Sequence, residues 1–116
     1  MKTEQLNAIK EQALEAAYLA ALAHMNTHYE GQDGGTCGFA SLSIYEFEGK
    51  KIKGNTKLGR AMKAAGIRQD WTRTFEIWNP CGLPVQSVDI KEVGAEAAAQ
   101  VFRSYGFTAY ASSRMD

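Results

Sequence analysis

The stretch Cys37-Gly38-Phe39-Ala40-Ser41-Leu42-Ser43-Ile44-Tyr45-Glu46-Phe47-Glu48 decides how the chain must fold. Its side chains alternate. Ala40, Leu42 and Ile44 fall on one side of an extended backbone, and Ser41, Ser43, Tyr45 and Phe47 on the other. This period predicts a strand from Cys37 to about Glu48 with one face in a core. A half-buried strand needs both partner strands and a cover, and the rest of the sequence offers both.

Upstream, residues 3–26 have helical spacing. Thr3 is the expected N-cap, with Glu4 and Gln5 beside the positive end of the dipole. Leu6, Ile9, Ala13, Ala16, Ala17 and Ala20 form one stripe, and Leu14, Tyr18, Leu22 and Met25 a second. So broad an apolar arc predicts burial on more than one side, under other elements or against a second copy of the chain. Tyr29 to Gly35 then reads as a glycine-rich loop.

Downstream, Asn55 is the expected cap of a short helix that carries Leu58, Ala61, Met62 and Ala65 on one face and stops at Gly66. Residues 71–79 alternate and predict a strand with Phe75 and Ile77 inward. Asn79-Pro80-Cys81-Gly82 suits a type I turn, and a strand over Val85–Asp89 would complete a hairpin. Asp89-x-x-Glu92 resembles a capping box opening a third helix to about Tyr105. Gly94, Ala95, Ala97, Ala98 and Ala99 keep that helix slim for close approach to the sheet, and Val93, Val101, Phe102 and Tyr105 are the expected larger core contacts. After Gly106, Phe107 to about Ser113 form the last strand. The expected fold is therefore a single α+β domain over residues 1–116. It has two layers, a mainly antiparallel four-stranded sheet and three helices, in the order α-β-α-β-β-α-β.

Composition narrows the function. The 116 residues hold 13 basic and 13 acidic side chains, so the total charge supplies no general field for nucleic acid or anionic membrane. No uncharged apolar run approaches roughly 18 residues, the length of a membrane span. Two cysteines make no disulfide framework, so a reducing cytoplasm is expected.

The residues able to do chemistry are scattered. His24 and His28 lie four apart and could join Cys37 and Cys81 in a zinc set, but neither cysteine has a close neighbour to form a knuckle. Cys37, among glycines, could be a nucleophile if a base lay near. Both histidines precede it, however, and a small residue opening a strand is the plainer reading. The loop 31–35 leads into a strand and matches no phosphate-binding fingerprint. Glu46, Glu48, Glu76 and Asp89 have no partner carboxylate set by spacing. No metal and no cofactor is expected. The outer sheet face is more suggestive: Ser41, Ser43, Tyr45, Thr74, Glu76 and Trp78 gather there, joined by Tyr110, Ser112 and Arg114 in one register of the last strand. Such side chains suit a protein contact or stacked bases, and they also fit a plain solvated sheet face or a homodimer seam.

Cys37-Gly38-Phe39-Ala40, Ile77-Trp78-Asn79-Pro80, Gln86-Ser87-Val88-Asp89-Ile90-Lys91-Glu92-x-Gly94-Ala95 and the terminal Ser113-Arg114-Met115-Asp116 resemble a group of small phage and prophage proteins. The likeness spans residues 37–45 and most of 74–116 and leaves the first helix unmatched. It brings no activity with it. It implies a Trp in similar chains where Ser41 stands here, and a Ser where Cys81 stands, which makes Cys81 replaceable. It also implies a phage accessory product in a bacterial cytoplasm, of the kind that blocks a host defence complex as anti-CRISPR proteins do.

The expectation that follows is a non-enzymatic protein that binds a host protein or protein complex, with Tyr45, Trp78, Lys91, Tyr110 and Arg114 as contact residues. It would form a homodimer through the first helix. The alternatives are an oligomeric sponge for a nucleotide ligand, held by Arg114, Lys91 and an aromatic, and a cysteine-dependent hydrolase or zinc protein.

Overall fold

A computed structural model describes residues 1–116. Three helices and five strands follow in the order α1 (Thr3–His28), β1 (Gly38–Phe47), β2 (Lys50–Lys51), α2 (Lys57–Ala64), β3 (Arg68–Gln69), β4 (Phe75–Trp78), α3 (Val88–Ser104) and β5 (Phe107–Met115). The architecture is α+β, and every strand pairing is antiparallel. Strand β1 is the spine of the sheet. It pairs along its length with β5 on one side and with β4 and β2 on the other, and β3 lies beyond β4. The expected element order holds when the two-residue β2 is counted with β1.

The alternation that predicted β1 also orients it. Ala40, Leu42 and Ile44 are buried, and Leu42 and Ile44 join Phe75, Ile77, Phe107 and Ala109 in one hydrophobic cluster under the helices. Helix α1 packs chiefly on α3, and α3 in turn covers β1 and β5. The slim face of α3 serves both neighbours: a Cβ on Gly94 would stand 2.7 Å from Cys81 Cβ and 3.1 Å from the Ala17 carbonyl.

Several local expectations are corrected. Val85–Asp89 is not a strand. The chain there makes a single bridge, Cys37 to Ser87, before turning into α3. Pro84 has no N–H to give a ladder, and Ser87, not Asp89, is the N-cap, its Oγ accepting from Ile90 N–H at 3.3 Å. The hairpin instead joins β3 to β4, so residues 71–74 are loop. Their alternation was turn chemistry, with Asp70 Oδ1 accepting from Thr72 N–H at 2.9 Å and Thr74 N–H at 3.0 Å. Helix α1 is capped at Lys2, whose N–H donates to Gln5 Oε1 at 2.8 Å. Thr56, not Asn55, caps α2. Of the large contacts expected from α3, Phe102 is buried and Val101 packs at the margin, but Tyr105 is exposed and bonds Gln12; Ile90 fills the core instead. On α1 only one stripe is sealed, Leu6, Ile9, Ala13, Ala17, Ala21 and Met25. Tyr18 and Leu19 remain exposed. No helix is long and apolar enough to cross a membrane.

Candidate functional site

Because β1 is central and its inward positions are fixed, Phe39, Ser41, Ser43 and Tyr45 must look away from the helices. Register places Ser41 between Trp78 of β4 and Ser112 of β5, Ser43 between Glu76 and Tyr110, and Phe39 opposite Arg114. The small serines of the middle strand sit low between larger neighbours, which leaves a furrow. At the Phe39 end it becomes a pocket of about 210 Å³ whose walls include Phe39, Ser41, Trp78, Ser112 and Arg114. The Phe39 and Trp78 ring centroids are 5.5 Å apart, and the Arg114 guanidinium lies 5.3 Å from the Phe39 ring. This is a corner of two tilted aromatic rings with a cation beside it, an arrangement that favours a planar or apolar group with a nearby negative charge.

The expected contact residues separate into three groups. Trp78 and Arg114 meet at this corner. Tyr45 and Tyr110 form a second aromatic couple with centroids 6.0 Å apart, and Arg103 stands 5.3 Å from the Tyr110 ring. Lys91 stands alone, with its Nζ 5.3 Å from the Phe39 ring. It is buried, and its Nζ donates to the Gly38 carbonyl at 2.9 Å, so its charge holds the start of β1 in place. Phe39 was not among the expected contacts, although the same alternation, carried one step back from Ser41, places it on this face.

A second polar cluster lies at the start of α3. Asp89 Oδ2 accepts from Tyr29 OH at 2.8 Å and meets His24 Nε2 at 2.7 Å, and its Oδ1 accepts from Ser87 Oγ at 2.6 Å. Partial burial alone would raise the Asp89 carboxyl, but the hydrogen bonds from Ser87, His24 and Tyr29 outweigh it and hold the pKa at about 2. The bond to Asp89 in turn pushes the Tyr29 phenol up. Asp33 accepts from the N–H groups of Gln86 at 2.8 Å and Ser87 at 3.2 Å. The loop glycines are needed here: a Cβ on Gly34 would stand 2.5 Å from the Tyr29 ring, and Gly35, at φ 86°, faces Asp89 Oδ1. The glycine-rich loop is therefore a clamp between the end of α1 and the start of α3.

Serine, histidine and aspartate are all present in this cluster, but not in the order a nucleophile needs. The aspartate is in the middle. Ser87 gives its proton to Asp89, and His24 is turned to the same carboxylate. Cys37 is exposed and touches Gln86 Oε1 at 3.4 Å, whereas Cys81 is buried against Asn79. No three His, Cys, Asp or Glu side chains are placed to share a metal ion, so the His24, His28, Cys37 and Cys81 set is not assembled. No protein-family model matches the chain, and neither a curated protein nor a solved structure matches it.

Proposed function

We propose that the chain is a non-enzymatic binding protein that docks a protein partner on the outer face of its sheet. The observation that carries this reading is the Phe39–Trp78–Arg114 corner. Trp78 is 56% exposed on a sheet face that no helix covers. Tryptophan, tyrosine and arginine are the side chains that dominate protein hot spots. A protein is favoured over a nucleotide because Arg114 is the one free cation in the furrow wall, and the ammonium of Lys91 is spent on Gly38. With the resemblance to phage and prophage proteins, the proposed partner is a host factor such as a defence complex in the bacterial cytoplasm.

The test is phage plating on cells that carry a panel of defence systems. The wild type should restore plating against one of them. Trp78→Ala with Arg114→Ala should abolish that restoration while melting within a few degrees of the parent. Restoration that survives the double substitution would place the contact elsewhere.

A second contact, between copies of the chain, is favoured by α1, where Tyr18 and Leu19 are 45% and 55% exposed. Light scattering should give a dimer that Leu19→Glu converts to monomer. A monomeric parent at micromolar concentration rejects it.

A further inference from the structure

The neutral total conceals a sharp division of charge. Residues 50–73, KKIKGNTKLGRAMKAAGIRQDWTR, hold eight of the 13 basic side chains and one of the 13 acids, Asp70, a net of +7. The other 92 residues carry the opposite −7. Folding gathers part of the basic segment around a cleft of about 510 Å³, lined by Lys51, Lys53, Lys63, Arg73, Gln69 and Asn55 among others, with no carboxylate in its wall. The ion pairs of the chain are His24–Asp89, Arg68–Glu76 and Arg103–Glu96, so none of the four cleft cations has an acidic partner. Lys63 Nζ reaches only the Gly54 carbonyl, at 3.4 Å. Like charges held together without a counter-charge raise the local potential and draw in a polyanion.

The hairpin beside the cleft adds a different chemistry. The one acid, Asp70, is spent inside the loop, where the Thr72 hydroxyl and the backbone N–H groups of Thr72 and Thr74 bond it. Those bonds fix a tight turn whose tip presents Trp71, 92% exposed. The turn closes with Arg73 at φ 67°, a left-handed conformation that favours glycine. Hairpins of this shape ordinarily place glycine there. An arginine in that position keeps a cation in the cleft wall at the expense of backbone strain, as happens at functional sites.

We infer that the cleft and Trp71 together form a binding site for single-stranded nucleic acid, with Lys51, Lys53, Lys63 and Arg73 on the phosphates and Trp71 stacked on a base. Alternating phosphates and bases match cations flanking an exposed indole, the phosphates meeting the cations while a base stacks on the ring. The site lies by β2 and the β3–β4 hairpin, at the opposite end of β1 from the Phe39 corner, and stands apart from the protein-docking reading.

The experiment is fluorescence anisotropy with labelled 20-nucleotide oligo(dT) and oligo(U), and a 20-base-pair DNA duplex as comparison. Both single strands should bind. With about four phosphates neutralised, affinity should fall about 50-fold between about 50 and about 200 mM salt. Trp71→Ala should weaken binding about tenfold and remove the quenching of tryptophan fluorescence, with no change in melting because the side chain is exposed. Lys53→Glu with Lys63→Glu should weaken it at least as much. Arg73→Gly should weaken binding without lowering the melting temperature. Binding of oligo(dT) alone or of oligo(U) alone supports the inference and restricts the site to that kind of strand. Absence of binding by both strands at low salt, tighter binding of the duplex, or unchanged affinity in Trp71→Ala overturns the inference.

Discussion

The two ends of β1 treat charge in opposite ways. Near its start, Asp89 collects donors from α1, the loop before β1 and the cap of α3, so that its charge is matched. Near its far end, Lys51, Lys53, Lys63 and Arg73 share a cleft with no acid. A charge whose partners come from three elements is doing structural work, because losing it strands each partner in a half-buried place. A set of cations left unmatched adds repulsion and no cohesion. Function is therefore to be sought in the unmatched charges and the uncovered aromatics, and not where serine, histidine and aspartate meet.

The largest effect falls at Asp89. Asp89→Ala should cost about 2 kcal/mol, since it leaves Ser87, His24 and Tyr29 without their common acceptor, and urea unfolding reads this directly. A loss below about 0.5 kcal/mol would mean that the network is decorative. Gly35→Ala should cost almost as much, about 1–2 kcal/mol from the left-handed backbone. Its Cβ would also stand 2.6 Å from Tyr29 Oη and 2.7 Å from Asp89 Oδ1.

Acid sharpens the same point. The folded Asp89 carboxyl, at about 2, lies below its ordinary value of 3.8. Its contribution is therefore complete above about pH 4 and is lost as pH falls from there through about 2. Thermal melts over that interval should fall more steeply for the parent than for Asp89→Asn; parallel curves would remove Asp89 from the explanation. The smallest effect belongs to the basic end. Lys51→Gln with Lys53→Gln should change stability by less than about 0.5 kcal/mol, and upward, because exposed like charges are being removed. A clear loss there would show the cations to be structural after all.

Much of the fold was legible in the sequence because backbone geometry writes itself locally. The alternation of Ala40, Leu42 and Ile44 against Ser41, Ser43 and Tyr45 gave the strand and its inner face, and Gly66 and Gly106 marked helix ends that the structure keeps. The hairpin was misplaced for a local reason too. Asp70-Trp71-Thr72-Arg73 lacks the glycine that normally signals such a turn, while Asn79-Pro80-Cys81-Gly82 has every sign of one and leads only into an extended run before α3. The candidate site was half legible. Trp78, Tyr45, Tyr110 and Arg114 follow from alternation and one choice of register. Lys91 did not, since its position on α3 says nothing about a carbonyl 53 residues away.

By itself, the sequence determined an α+β chain with helices over one face of an antiparallel sheet, and a segment from 50 to 73 rich in unopposed cations. Tertiary structure alone brings Phe39, Trp78 and Arg114 to one corner, gathers His24 and Tyr29, 65 and 60 positions away, around Asp89, and lines one cleft with Lys51 and Arg73. Periodicity is fixed by the repeat of a strand or helix and can be read one residue after another. Meetings between distant side chains depend on register and packing, which exist only once the whole chain has closed on its core.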